Sequence, residues 1–338
     1  MYEQLALYID GEFISGGGRA EQDIINPATL ETLGKLPHAT SADLDRALTA
    51  AHRAFPLWRD TSAVERSRIL RSAAGLMRER SAAIACNITL DEGKPLREAT
   101  SEVQTSIDHI EWHAEEGRRI YGRIIPARSH GIRQMVVREP VGVCAAFTPW
   151  NFPLGQAIRK VGAALGAGCT IIVKGSEECP SAIIAMAHAF HDAGLPPGVL
   201  NVVWGVPSEV SEHLIASPIV RKVSFTGSVP VGKHLASLAG AQMKRMTMEL
   251  GGHAPAIVFD DADIERAATM LARFKLRNAG QVCISPSRFF IHANVYEQFV
   301  KRFVEVTSAV KVGNGIDDGI DMGPMLHERR VKLMQELV

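Results

Sequence analysis

The chain has little of what would place it outside the ordinary globular enzymes. Its 338 residues include five cysteines, Cys86, Cys144, Cys169, Cys179 and Cys283, an odd number without CxxC spacing. That pattern argues against a disulfide framework and a structural zinc site and for free thiols in a reducing, cytoplasmic setting. No charge of one sign dominates: Lys and Arg total 37, Asp and Glu total 37, and the net charge is zero. Electrostatics therefore offers no reason to expect a nucleic-acid or membrane partner. The longest apolar run, residues 161–173, is too short to span a bilayer and is interrupted by Gly162, Gly166 and Gly168. The opening MYEQLALYIDGEF lacks a basic segment before an apolar core, so no secretory signal is expected. Internal repeats and low-complexity tracts are missing. His109/His113 and His188/His191 have helical spacing but no HExxH arrangement or further ligand, so no metal is expected.

What is present suits a soluble globular α/β protein. Hydrophobic residues make up 46% and charged residues 22%, and the length allows two domains. Up to about residue 37 the chain reads as short strands broken by Asp10-Gly11, Gly16-Gly17-Gly18 and Asn26-Pro27. Leu44, Ala47, Leu48, Ala51 and Phe55 form one face of a helix with Ser41 as its cap. Ser62 and Glu65 predict a capping box for the next helix. Glu92-Gly93-Lys94-Pro95 punctuates the chain before a helix over 99–117, and residues 118–140 read as an extended hairpin leaving the main body. From residue 141, strand-like runs at 141–147, 170–173, 199–203 and 222–225 alternate with helix-like runs at 155–165, 181–193, 209–215 and 232–238. Such alternation predicts a parallel sheet covered by helices. A second αβ pattern follows Gly251-Gly252, and the helical stretch 327–338 stops without a terminating signal, as in a fragment of a longer protein.

Several motifs carry chemistry, each beside a blander alternative. Gly227-Ser-Val-Pro-Val-Gly-Lys-His234 nearly matches a phosphate-cradling P-loop, and Asp260-Asp261 imitates its acidic strand end. Against a nucleotide triphosphatase, His234 replaces the hydroxyl that must reach Mg²⁺, and Pro230 lacks an N–H. Gly227 and Ser228 at a helix N-terminus still suit a diphosphate. Cys283 is flanked by turn-forming Gly280 and Pro286. A lone cysteine is commonly a small buried hydrophobe, and a nucleophilic one needs a positive dipole or a base nearby. Glu249 ends a strand at a Gly-Gly turn, either as a solvated edge charge or as a carboxylate where α/β sheets put their sites. Asn151 lies between two prolines in Thr148-Pro-Trp-Asn-Phe-Pro153, as a turn residue or as an amide donor to an oxyanion. Lys174 and Glu177 are either a solvated pair or a grip on a ribose.

Taken in order, TPWNFP, VKGSE, SFTGSVPVGK, MELGGHAP and RNAGQVC closely resemble the aldehyde dehydrogenase superfamily over the whole chain. Asp91-Glu-Gly-Lys-Pro95, Arg159-Lys160 and Leu276-Arg277-Asn278 are most similar to its succinate-semialdehyde branch. The resemblance implies a Rossmann-like cofactor domain without the usual GxGxxG turn, an α/β catalytic domain and a protruding oligomerisation hairpin. The expected divisions are 1–117 (N-terminal part of the cofactor domain), 118–140 (hairpin), 141–250 (Rossmann-like domain) and 251–338 (incomplete catalytic domain). It implies Cys283 as nucleophile, Asn151 with the Cys283 N–H as oxyanion donors, and Glu249 as the base that deacylates a thioester. Trp150, Lys174, Glu177, Gly227, Ser228 and Leu250 are expected to line a dinucleotide, and Arg159 and Arg277 to bind a substrate carboxylate. Glu177 favours NAD over NADP, because a carboxylate accepts from ribose hydroxyls and repels a 2′-phosphate. A small-molecule aldehyde, succinate semialdehyde or a glutarate or 2-oxoglutarate relative, and a homodimer or homotetramer complete the expectation. A non-catalytic relative is the third alternative, against which Cys283, Glu249 and Asn151 stand intact. Three departures are visible: Gly175 in place of a usual Pro, which is expected to loosen the adenosine site; Val282 in place of Thr, with no second cysteine; and the lack of the family's last third, without which the stretch is expected to be inactive and poorly folded.

Overall fold

The computed structural model describes residues 2–337. The chain opens with two antiparallel pairs, β1 (Leu7–Ile9) with β2 (Glu12–Ile14), and β3 (Glu21–Ile25) with β4 (Thr32–Pro37). Asp10 and Gly11 both take positive φ, 57° and 82°, which a two-residue hairpin turn between twisted strands demands.

Four helices follow: α1 (Ser41–Asp60), α2 (Ala63–Glu79), α3 (Ser81–Glu92) and α4 (Leu96–Glu116). The cap of α1 is Thr40 rather than Ser41. Thr40 is in extended backbone, its hydroxyl accepts from Asp43 N, and the Asp43 carboxylate accepts from Thr40 N in return. The Arg19 guanidinium holds the Asp43 carboxyl down at about 2. At α2 only half of the expected box forms: Ser62 accepts from Glu65 N, but the Glu65 carboxylate turns to Arg68. Gly93 stops α3 at φ 94°, where a Cβ would lie 2.9 Å from Pro27 and 3.1 Å from Pro324. Helix α4 starts three residues before the expected 99, directly after Pro95.

The segment 118–140 contains β5 (Arg123–Ile125) paired with β6 (Gln134–Val136), every residue of which is exposed. Next come β7 (Val143–Phe147), α5 (Pro153–Gly166), β8 (Ile171–Lys174), α6 (Ser181–Asp192), β9 (Leu200–Val203), α7 (Pro207–Ala216), β10 (Val220–Gly227), α8 (Val229–Ala241) and β11 (Arg245–Leu250). The sheet order is β11-β10-β7-β8-β9-β1-β2, with five parallel strands and the first hairpin added antiparallel at one edge. Strands β7, β8 and β9 are buried at every residue, which is why they read as continuous apolar runs and not as alternation. From β7 the chain proceeds outward to β8 and β9, then returns to place β10 on the other side of β7. That reversal leaves a crevice at the carboxyl ends of β7 and β10.

A second unit has β12 (Ala256–Val258), α9 (Ile264–Leu276), β13 (Phe289–Ile291), α10 (Tyr296–Ser308) and α11 (Glu328–Leu337). β12 and β13 pair in parallel, as the second αβ pattern predicts, over a small core of Val258, Ile264, Ala268 and Phe299. The architecture is α/β, as the alternation implies.

Trp58 shows how the main core is tied together. Its ring in α1 is fully buried, and its indole N–H donates to Leu165 O in α5 at 3.2 Å. Trp58→Ala is expected to cost about 3–5 kcal/mol in urea unfolding, and Trp58→Phe clearly less; equal losses would show that the ring volume is not what counts.

Candidate active site

The crevice opens into a cleft of about 1680 Å³. Its walls come from the loop after β7, from Arg159 and Lys160 of α5, and from the ends of β10 and β11. The segment 279–285 and Arg330 of α11 complete it. Of the residues singled out in the sequence, Trp150, Asn151, Arg159, Gly227, Ser228, Glu249, Leu250 and Cys283 all line this one space.

Cys283 is exposed, in the turn that follows residues 277–280. Three successive residues there hold positive φ: Asn278 at 49°, Ala279 at 53° and Gly280 at 74°. For Asn278 and Ala279 this conformation is strained, and other contacts must hold it. Asn278 supplies them. Its backbone N–H donates to Glu98 Oε2 at 2.9 Å and its side-chain amide to Asn151 O at 2.9 Å. Asn151 in turn donates its side-chain amide to Gln281 O at 2.8 Å, two residues before the thiol. The Asn151 loop and the Cys283 turn are thus one hydrogen-bonded unit.

Glu249 stands on β11 opposite Thr226 of β10 and faces the cleft. Thr226 accepts from Lys160 Nζ at 2.6 Å. Lys160 is mostly buried. Burial pushes its pKa down to about 8 and Arg159 adds to the shift, while Glu249 opposes it. The sequence reading passed over Lys160 as an active-site group; its one signal was its place beside Arg159.

Lys174 and Glu177 lie away from the cleft wall. They form a buried ion pair at 2.6 Å rather than a solvated one, and Glu177 Oε1 accepts from Gly205 N at 3.0 Å. Gly175 is not a loosened site: a Cβ there would meet Ile183 at 2.4 Å and Trp204 at 2.5 Å, so Trp204 already fills the space. Arg159 reaches the cleft and donates to His109 Nε2 at 3.2 Å. Arg277 does not line it; its guanidinium lies 5.1 Å from the Phe152 ring centroid. The P-loop alternative fails on topology, because Asp260 and Asp261 follow β12, which belongs to a different sheet from β10. Among the described residues, no group of three or more His, Cys, Asp or Glu could hold a metal, and no helix is long and apolar enough to cross a membrane.

An exposed thiol, a tethered amide and a carboxylate thus share one cleft at the switch point of a parallel sheet, an arrangement with the parts of an enzyme site. Residues 13–338 match the sequence profile of the Aldehyde dehydrogenase family, and the chain belongs to that family as an oxidoreductase of aldehydes. It is 47% identical to 4-(hydroxymethyl)benzenesulfonate dehydrogenase TsaD1 of Comamonas testosteroni, over 98% of this chain and 71% of that protein. It is 41% identical to succinate-semialdehyde dehydrogenase [NADP(+)] GabD of Escherichia coli, over 99% of this chain and 70% of that protein. The crystal structure of succinate-semialdehyde dehydrogenase from Burkholderia pseudomallei superposes with a TM-score of 0.97 at 43% identity, covering 99% of this chain and 69% of that one.

The family uses NAD or NADP, and the cleft fits such a group. Ser228 is the N-cap of α8 with no side-chain cap bond of its own, so its hydroxyl and the helix N-terminus are open to a diphosphate. Gly227 has no room for a side chain, since a Cβ would lie 2.4 Å from the Phe225 ring.

Lys160 generates a pH prediction. Its folded pKa of about 8 lies below the ordinary 10.5, so between those values the unfolded chain binds more protons and stability rises with pH. Relative to Lys160→Met, the wild type should gain stability from about pH 8 to 10.5 in urea titrations; parallel curves would mean that Lys160 titrates normally.

Proposed function

We propose that the protein oxidises an aldehyde carrying a remote anionic group, foremost succinate semialdehyde, to the acid with NAD. The observation that carries this reading is Arg159, a cation lining the same cleft as Cys283 and Asn151. A guanidinium meets a carboxylate in a bidentate fork and suits a sulfonate equally. Arg277, whose guanidinium lies 5.1 Å from the Phe152 ring centroid and outside the cleft lining, would reach a substrate carboxylate only after its side chain turns from Phe152, so the anion site rests on Arg159. The names of relatives point the same way: glutarate-semialdehyde dehydrogenase and 3-sulfolactaldehyde dehydrogenase of Pseudomonas putida are each 40% identical to this chain. The nicotinamide, when bound, supplies the acceptor for the two electrons that leave the substrate carbon.

The chain's own residues do the rest. The Cys283 thiolate adds to the aldehyde carbon and forms a thiohemiacetal. The Asn151 amide, now donating to Gln281 O, and the Cys283 N–H hold the oxyanion. After oxidation to the thioester, Glu249 takes a proton from water, whose oxygen attacks the acyl carbon and releases the acid and the thiol. Trp150, Gly227, Ser228 and Leu250 hold the cofactor along the cleft. Glu177, fixed by Lys174 and the Gly205 N–H, sets the preference for NAD.

The divisions 1–117, 118–140, 141–250 and 251–338 are taken as the functional units. The hairpin β5–β6 exposes Ile124, Met135 and Val137, a face suited to a homodimer or homotetramer. The five free cysteines suit a reducing, cytoplasmic setting.

NADH formation tests the reading. Cys283→Ala should abolish turnover. Glu249→Gln should leave a burst of NADH but block steady-state release. Arg159→Ala should raise KM for succinate semialdehyde about 10- to 100-fold while sparing a neutral aldehyde. Equal effects on both aldehydes would remove the anion site, and a higher kcat/KM with NADP than with NAD would remove the cofactor assignment.

A further inference from the structure

Lys94 is completely buried, and so is Glu102, its partner at 2.6 Å. A buried ion pair is weak evidence of stability, because desolvating both charges offsets most of their attraction. The geometry around this one gives it a different purpose. The Lys94 ammonium also donates to Asn151 O at 2.7 Å and lies 4.1 Å from the Phe152 ring centroid, with Glu92 at 3.8 Å. The second Glu102 oxygen accepts from Leu154 N at 3.0 Å and Gly155 N at 3.1 Å. Those N–H groups belong to the first turn of α5, whose own N-cap, Phe152, provides no side-chain acceptor. Glu102 thus caps α5 from a different helix. Between them the two charges fix the residue before Phe152 and the two after Pro153. Asn278 closes the arrangement by donating to the same Asn151 carbonyl.

We infer that Lys94 and Glu102 are positioning residues that aim the Asn151 amide at the oxyanion. This rests on the proposed oxyanion role of Asn151. Neither side chain touches the substrate; each acts through the backbone of residues 151–155. An amide donor displaced by about 1 Å forfeits roughly 100-fold in rate, so the pair is required for the addition step and not for substrate binding. The positive charge next to the Asn151 carbonyl also polarises that peptide in a low-dielectric site.

The test compares Lys94→Met, Glu102→Gln and Asn151→Ala in the intact protein, singly and as the Lys94→Met/Asn151→Ala double variant. Lys94→Met should lower kcat about 100-fold and Glu102→Gln by a smaller factor, with KM for aldehyde and cofactor within twofold of wild type. In the Asn151→Ala background, Lys94→Met should cause no further loss of kcat, since the group it aims is gone. Alkylation of Cys283 by iodoacetamide, which forms no oxyanion, should keep its wild-type rate in every variant. Should Lys94→Met fail to fold, Glu102→Gln keeps the shape of the site and carries the same test. Wild-type kcat in the folded Lys94 or Glu102 variant, a further drop in the double variant, or a parallel loss of alkylation would overturn the inference. Wild-type kcat in Asn151→Ala alone would remove the oxyanion reading on which it stands.

Discussion

The reversal of strand order at β7 is the constraint on which the rest depends. Because β8 and β9 lie on one side of β7 and β10 and β11 on the other, two loops diverge at the carboxyl ends of β7 and β10. A crevice between them follows from topology alone. The cleft-lining residues beyond the strand ends inherit their place from that break. Trp150 and Asn151 leave β7, Gly227 and Ser228 leave β10, and Glu249 and Leu250 end β11. Cys283 is contributed by the second unit, so it must be tied to the first. The Asn151–Gln281 and Asn278–Asn151 hydrogen bonds make that tie.

The tie has a cost in buried charge that the local environment settles residue by residue. Burial pushes the Asp91 carboxyl up to about 7 despite bonds from Ser181 and Tyr2. Burial likewise raises Glu92 to about 8, although Lys94 pulls against it. Lys94 shows the opposite balance. Burial disfavours its charge, but Glu102 and Glu92 together outweigh burial and hold it above the ordinary lysine range. Lys160 has no such partner within bonding distance; it donates to the neutral Thr226 hydroxyl, and burial lowers it to about 8. The two lysines therefore differ although the fully buried Lys94 is the more desolvated, because it meets a carboxylate directly and Lys160 meets a hydroxyl. The first is held charged in the framework, and the second loses its proton more readily than an ordinary lysine, in the cleft beside Glu249.

The parallel sheet was legible because β7, β8 and β9 are buried at every residue and so read as mostly apolar runs alternating with helix-like runs. The second αβ unit was legible from the same alternation after Gly251-Gly252. The candidate site was legible as a set of motifs in order, since Cys283, Glu249 and Asn151 lie at or just beyond the ends of elements, and the fold brings all three to one cleft. Arg277 illustrates the limit. No pattern in RNAGQVC foretells the three positive-φ residues that follow it or the placement of its guanidinium 5.1 Å from the Phe152 ring centroid, outside the cleft lining. Lys94 and Glu102 were illegible for another reason. Lys94 reads as punctuation before α4 and Glu102 carries no motif, yet both are buried, because the loop they hold arrives some fifty residues later. Long-range partners of this kind leave no local signature.

Gly175 and Glu177 show how the same logic reaches the cofactor side. Trp204 packs into the space that a side chain at 175 would take, and its indole N–H is anchored on Ala6 O at 2.9 Å. One residue on, the Gly205 N–H holds Glu177 Oε1. A single segment at the end of β9 therefore both fills the space over Gly175 and orients the Glu177 carboxylate, with Lys174 fixing its other oxygen. Both oxygens of that carboxylate are engaged, one by the Lys174 ammonium and one by the Gly205 N–H, and each keeps a second lone pair. The proposed preference for NAD therefore rests on how these partners hold the carboxylate, and not on the identity of Glu177 alone.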